Sequence, residues 1–227
     1  MTTTDSNTSV YYISKLKEFK KPVILELGVN RGGSTKNFLQ HITEHDGELF
    51  SVDIKDCSQI IRENKFNGLK INDWKFLQSN DLNIEYILKN FPSLKNGIDV
   101  LFIDSYHDET HVRKILEKWF LYVNKNGYIF FDDTESVLYR KTKNFGLSVN
   151  NDAIDKLIYN FYCNNINQLN YIKYFKGSGI SEFKKLSVIG EKPIFSNNIW
   201  KYNYIISYIY LLVKKIIYKF KSKDKQN

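Results

Sequence analysis

Residues 23–39, VILELGVNRGGSTKNFL, decide how the rest of the chain is read. Val23 to Leu27 is an apolar run broken by one acid, Glu26, and is short enough for a strand buried on both faces. Three glycines follow within six positions, Gly28, Gly32 and Gly33, in a chain of 227 residues with only 11 glycines. Ser34 then stands as the N-cap of a helix running through "STKNFLQHI". A strand, a glycine turn and a helix start together offer unpaired N–H groups and close backbone approach to an anionic or nucleoside ligand. The dinucleotide spacing G-x-G-x-x-G would put its second glycine at position 30, where this chain has Asn30. A pyrophosphate is therefore disfavoured, and a smaller carboxylate-bearing nucleoside fits better. Glu26 points the same way: a buried acid costs several kcal/mol if unpaired, so it needs a cationic ligand group or backbone amides beside it. A turn that only packs helix on strand is the competing reading.

Beyond the turn, strand-like and helix-like segments alternate. A helix over Val10–Phe19 precedes the first strand, covers one edge of the domain and ends at Pro22; residues 1–7 read as polar and unstructured. "ELFSVDI", "WKFLQS", "IDVLFID" and "GYIFFDDT" read as further strands. "NIEYILKNF" and "ETHVRKILEKWFLYV" read as helices between them. This predicts a doubly wound, mostly parallel sheet. Later, "DAIDKLIYNFY" reads as a helix, and "LNYIKYF" and "KKLSVIGE" as an antiparallel pair at the sheet edge. The stretches 141–151 and 164–167 read as loops.

Composition narrows the function. The net charge is +8, but from Lys201 onward seven lysines face one acid, Asp224, so the tail carries +6 and the preceding 200 residues only +2. A nearly neutral body argues against a broad nucleic-acid face. Cys57 and Cys163 are far apart, without a metal-ligand spacing, which predicts a reducing compartment and no zinc site. The start, MTTTDSNTSVYY, lacks a secretory pattern, so a cytoplasmic protein is expected.

Asp53 ends the second strand, 25 positions after Gly28. An acid there accepts hydrogen bonds from ribose hydroxyls in nucleoside-binding α/β folds. Together, "ELGVNRGGST", "VDI", "FLQSND", "DVLFIDSYHDETHVRKILEKW" and "GYIFFDDT" resemble class I S-adenosylmethionine-dependent methyltransferases. Within them they resemble the macrocin-type sugar O-methyltransferases and the cephalosporin-hydroxylase-like proteins. The resemblance covers roughly residues 20–190. It implies a Rossmann-like sheet of seven strands, the last antiparallel. It places Glu26, Gly28, Asn30, Gly32 and Ser34 around the methionine part of the cofactor, Asp53 at the ribose and Asn80 at the adenine, with Asp104 beside them.

Asp104, Asp132 and Asp133 fall at the carboxyl ends of neighbouring strands, where open α/β sheets bind ligands. Three converging carboxylates would repel unless a cation lay between them, and an all-oxygen set suits Mg²⁺. Such an ion would activate a sugar hydroxyl. The resembling sugar O-methyltransferases carry an aspartate at each of these positions. The competing reading is that Asp104 touches only the cofactor and Asp132 caps a turn. After the fourth strand the relatives read "IDGDH", whereas this chain reads "IDSYH". The second aspartate, their proposed base, is Tyr106 here, and the glycine is Ser105. His107 keeps its place, so His107 or Tyr106 is the candidate base; a structural role for His107 stays open. His111 reads as an ordinary helix residue.

The tail divides lysines from apolar residues on a helical wheel. Ile205, Ile206, Ile209, Leu212, Val213, Ile216, Ile217 and Phe220 share one face, and Lys214, Lys215, Lys219, Lys221 and Lys223 the other. A basic amphipathic helix over 199–223 would lie on an anionic membrane surface, at the inner face of the membrane. Packing on its own domain or on a second copy is the equal alternative. The expected organisation is 1–20 as polar segment and cover helix, 21–195 as the catalytic domain and 196–227 as the tail. The expected activity is metal-assisted O-methylation of a sugar, glycoside or surface-polysaccharide precursor. The rivals are a degenerate, membrane-recruited binding protein and a nicotinamide-dependent oxidoreductase.

Overall fold

The computed structural model describes residues 5–62, 66, 68–135, 145–175, 177–196 and Val213. The chain divides into two compact units, Met1–Phe195 and Ser196–Asn227. The expected helix of 199–223 lies outside the described residues, Val213 apart.

The first unit is built on a seven-stranded sheet. In chain order its elements are α1 (Asp5–Leu16), β1 (Val23–Leu27), α2 (Gly33–His45), β2 (Glu48–Asp53), α3 (Gln59–Arg62), β3 (Trp74–Gln78), α4 (Ile84–Asn90), β4 (Ile98–Ile103), α5 (Glu109–Trp119), β5 (Val123–Asp132), α6 (Phe145–Asn164), β6 (Leu169–Tyr174) and β7 (Ile180–Lys185). The strand order is β3-β2-β1-β4-β5-β7-β6. The first five strands pair in parallel, and β7 runs antiparallel between β5 and β6. The expected Rossmann-like sheet with an antiparallel last strand is therefore present.

The nearly continuous apolar reading of β1 follows from burial on both faces. Leu25 and Leu27 join the core under α4, α5 and α6, while Ile24 joins the core under α1 and α2. Glu26 alternates onto the α2 side and is fully buried. Strand order reverses between β1 and β4, the place where such sheets open a crevice.

Four local expectations need correction. Helix α1 starts at Asp5, not near Val10, and ends at Leu16, six residues before Pro22. It lies on a face rather than an edge: Tyr12 packs on Phe38 of α2, Phe102 of β4 and Phe130 of β5. Second, α2 begins at Gly33 with Gly32 as N-cap in the left-handed region, so Ser34 is inside the helix and caps nothing. Third, α6 starts at Phe145, so the polar stretch 145–151 is helical rather than loop. Fourth, β7 is ISEFKK, four residues earlier than "KKLSVIGE". Its polar Ser181 and Glu182 are buried because β7 has a strand on each side, while Val188 and Ile189 are exposed beyond its end.

Candidate active site

The glycine turn alternates left-handed residues: Gly28 at φ 95, Asn30 at φ 48 and Gly32 at φ 75. Asparagine is among the few residues that tolerate this region. Asn30 thus keeps the turn's path while adding a side chain that glycine would not have. A Cβ on Gly28 would lie 2.1 Å from the carbonyl oxygen of Asp104, so this glycine is required by β4 itself. Gly33 differs, because nothing lies within 4 Å of where its Cβ would be. Of the three glycines, Gly28 is explained by packing, and Gly33 opens a helix start onto empty space.

Glu26 lies beneath the turn. Its carboxyl accepts hydrogen bonds from Ser34 Oγ (2.5 Å), Thr35 Oγ1 (2.8 Å) and Ser51 Oγ (2.6 Å). Burial pushes it up to about 7 against these donors. The expected cation or backbone amides are replaced by hydroxyls. Glu26 shapes the turn from below, and in this arrangement it is sealed from a ligand.

Asp53 closes the turn from the side. Its Oδ2 accepts the N–H groups of Val29 at 2.8 Å and Asn30 at 3.1 Å, and Oδ1 accepts that of Lys55 at 2.8 Å. Burial alone would raise this carboxyl, but the amides of Lys55, Val29 and Asn30 outweigh it and hold it below the ordinary aspartate range. The turn and the end of β2 are therefore one hydrogen-bonded unit. Beside it, at the end of β3, Asn80 is exposed, with Oδ1 accepting the N–H of Leu82 at 2.9 Å.

At the end of β4, Asp104 Oδ1 lies 3.4 Å from His107 Nε2. Burial pushes the Asp104 carboxyl up, against the pull of His107, and Asp133 and Asp53 add to the rise. Burial alone would lower His107, but Asp104 and then Asp133 raise it above the ordinary histidine value. The loop is also held from α6, where Asn150 Nδ2 donates to the His107 carbonyl at 2.9 Å. Tyr106, the other candidate base, is 69% exposed and its ring faces His111 rather than Asp104. A concavity lined by Ile103, Tyr106, His107, Phe131, Asp132 and Ile154 opens beside the pair.

The expected metal trio is not assembled. Among the described residues no three His, Cys, Asp or Glu side chains are grouped to hold an ion. Asp104 is turned to His107, and Asp132 Oδ1 accepts the N–H of Asp133 at 3.0 Å. Asp133 itself sits in the left-handed region at φ 54. The residues as placed do not fit a divalent cation.

A family model described as a methyltransferase domain matches residues 25–134, which run from β1 to just past β5. Residues 25–134 thus match a methyltransferase domain, and they lie in a sheet of the class I methyltransferase fold. An uncharacterized protein of Acanthamoeba polyphaga mimivirus is 35% identical to this chain over 118 residues, covering 48% of this chain and 50% of the relative. The match thus spans about half the length of that curated relative. Among solved structures, the S-adenosylhomocysteine-bound Podospora anserina methyltransferase PaMTH1 superposes with a TM-score of 0.59 at 14% identity, over 79% of this chain and 78% of the other. MycE, from the mycinamycin biosynthetic pathway, in complex with Mg, S-adenosylhomocysteine and mycinamycin VI, gives 0.55 at 15% identity, over 83% and 51%. At these identities the superpositions speak to the fold. In the methyltransferase domain the groups able to hold the cofactor stand in one arc across β3, β2, β1 and β4: Asn80, Asp53, the 28–33 turn and Asp104. An ionised Asp53 beside an open helix start fits a nucleoside bearing a charged amino-acid arm.

Some participants had no signal in the sequence. Ser51 sits directly opposite Glu26 across the β1–β2 register, so pairing the strands would have found it. Asp81 and His111 meet at 3.0 Å from 30 positions apart, and no local pattern announces that.

Proposed function

We propose that this protein transfers the methyl group of S-adenosylmethionine to a hydroxyl of a sugar, glycoside or glycan precursor, with His107 as the base. The observation that carries this reading is the Asp104–His107 pair, whose histidine lines the concavity at the carboxyl end of the sheet. The cofactor, when bound, supplies an electrophilic methyl group. The turn at 28–33 and Asp53 would orient it, and Asp104 would hold Nε2 of His107. The acceptor proton then goes to Nδ1 of His107. The acceptor oxygen gains the methyl carbon as its bond to sulfur breaks, leaving S-adenosylhomocysteine. His107 must be neutral to act, and its pKa is raised. The rate should therefore climb with pH through a value above the ordinary 6.5. The resemblance of the strand-end motifs to sugar O-methyltransferases supports the acceptor class.

A second reading is favoured by MycE, whose complex holds Mg. In it Asp104, Asp132 and Asp133 would have to draw together to hold a divalent ion, which would supply Lewis-acid activation of the hydroxyl. Calorimetric titration of S-adenosylhomocysteine, followed by radiolabelled methyl transfer to a panel of glycosides with Mg²⁺ or with EDTA, tests both. Binding in the micromolar range, about −8 kcal/mol, lost in Asp53→Ala, is the expected result. His107→Gln should keep binding and lose turnover. Turnover that survives EDTA supports His107 alone, and turnover abolished by EDTA supports the ion. No binding at all would defeat both readings.

A further inference from the structure

The loop after β4 departs from its relatives' pattern at Ser105 and Tyr106, and both residues meet one side chain. Ser105 Oγ lies 3.4 Å from His111 Nε2. The Tyr106 ring stands edge-on to the His111 ring, with centroids 5.8 Å apart and planes at 85°. The same Nε2 lies 3.0 Å from Oδ2 of Asp81. Asp81 is only 7% exposed, and its backbone carbonyl accepts the indole N–H of fully buried Trp119 at 2.9 Å. The Asp108 carboxylate fixes the base of His111 by accepting its backbone N–H at 3.0 Å. A carboxylate only accepts, so Nε2 carries the proton and the tautomer is set.

We propose that His111 is a positioning residue. Through Asp81 it ties the turn after β3, which carries Asn80, to the loop after β4, which carries Asp104 and His107. The two ends of the crevice are then one mechanical unit, and occupancy near Asn80 is felt at His107. This rests on the cofactor reading of Asn80 and the base reading of His107.

The chain has four histidines, so the full-length protein labelled with 15N-histidine gives few ring signals. His107→Gln identifies one of them. Addition of S-adenosylhomocysteine to the wild type should move the signals of both His107 and His111. His111→Gln keeps a donor for Asp81 and should preserve the His107 response. Replacing both partners together, Asp81→Leu with His111→Leu, avoids stranding a buried carboxylate. That variant should bind S-adenosylhomocysteine roughly fivefold more weakly or worse, and its His107 signal should no longer respond. Ser105→Ala leaves the buried pair and the Tyr106 ring contact in place, removes one of the two loop contacts to His111 and should weaken the same response. Wild-type affinity and an intact His107 response in the double variant would overturn the proposal while leaving the methyltransferase site standing. A wild type that binds no S-adenosylhomocysteine would remove that site and the proposal with it.

Discussion

Sealed from water under the glycine turn, Glu26 holds its proton to about pH 7 because burial outweighs its three hydroxyl donors. An acid whose folded pKa is raised stabilises the fold below its unfolded value of 4.5 and loses that contribution as pH climbs through about 7. Unfolding free energies from urea titrations at pH 5 and pH 8 should therefore differ by about 2–3 kcal/mol from this group. Glu26→Gln should flatten the difference; an unchanged pH profile would show that the group does not titrate in this window. The glycines separate in the same way. Gly28→Ala meets the Asp104 carbonyl at a positive φ and should cost on the order of 3 kcal/mol or more in melting experiments. Gly33→Ala meets nothing and should leave the melting temperature within a degree or two, yet weaken S-adenosylhomocysteine binding if the ligand occupies that space. From the sequence, the spacing of Gly28, Asp53 and Asp104 was legible because each ends a strand whose apolar run is plain. What the carboxyl of Glu26 touches was not, since its hydroxyl partners come from two other elements.

Among the strands, β7 is the one the sequence misplaced, and Lys185 shows why. Its side chain is fully buried, and Nζ donates to the carbonyls of Phe120 and Val123, each at 2.9 Å. A lysine closing a strand looks like an exposed strand end, whereas here it fastens β7 to the turn between α5 and β5. Burial lowers its pKa to about 8 from 10.5. The folded state then binds fewer protons than the unfolded chain between those values, so stability rises with pH across the window. Denaturation at pH 7.5 and 9.5 should show a gain of about 2 kcal/mol from this residue, absent in Lys185→Met. Helix α6 was underestimated for a related reason. Its first turns read as a polar loop, yet Asn150 reaches the His107 carbonyl and Asn151 is buried. Polar residues facing a site break the amphipathic pattern by which helices are recognised.

Charge is distributed unevenly over the molecule, with +6 of the net +8 after position 200. No described helix is long and apolar enough to cross a membrane. A chain ending at Ser196 should keep its affinity for S-adenosylhomocysteine, because the glycine turn, Asp53 and His107 all lie in the first unit. The full chain should co-sediment with phosphatidylserine vesicles in a salt-sensitive way, and the shortened chain should not. Equal sedimentation of both chains would assign the lysines another purpose. The fold was readable at this level because alternating strands and helices admit few topologies. The acceptor was not, because the concavity is assembled from β4, β5, α5 and α6 together.

The parallel pairing of β1 with β4 has a consequence in time. The Val23 amide bonds to the Asp99 side chain 76 positions later, and Gly28 is shaped against Asp104 at the same remove. At roughly 5–20 residues per second, synthesis leaves the glycine turn without its floor for about 4–15 seconds. The first segment of the site to leave the ribosome thus stays unfixed until β4 has followed it. During that interval the apolar β1 waits with one edge unpaired, exposed to any chaperone or neighbouring strand that reaches it before β4 does.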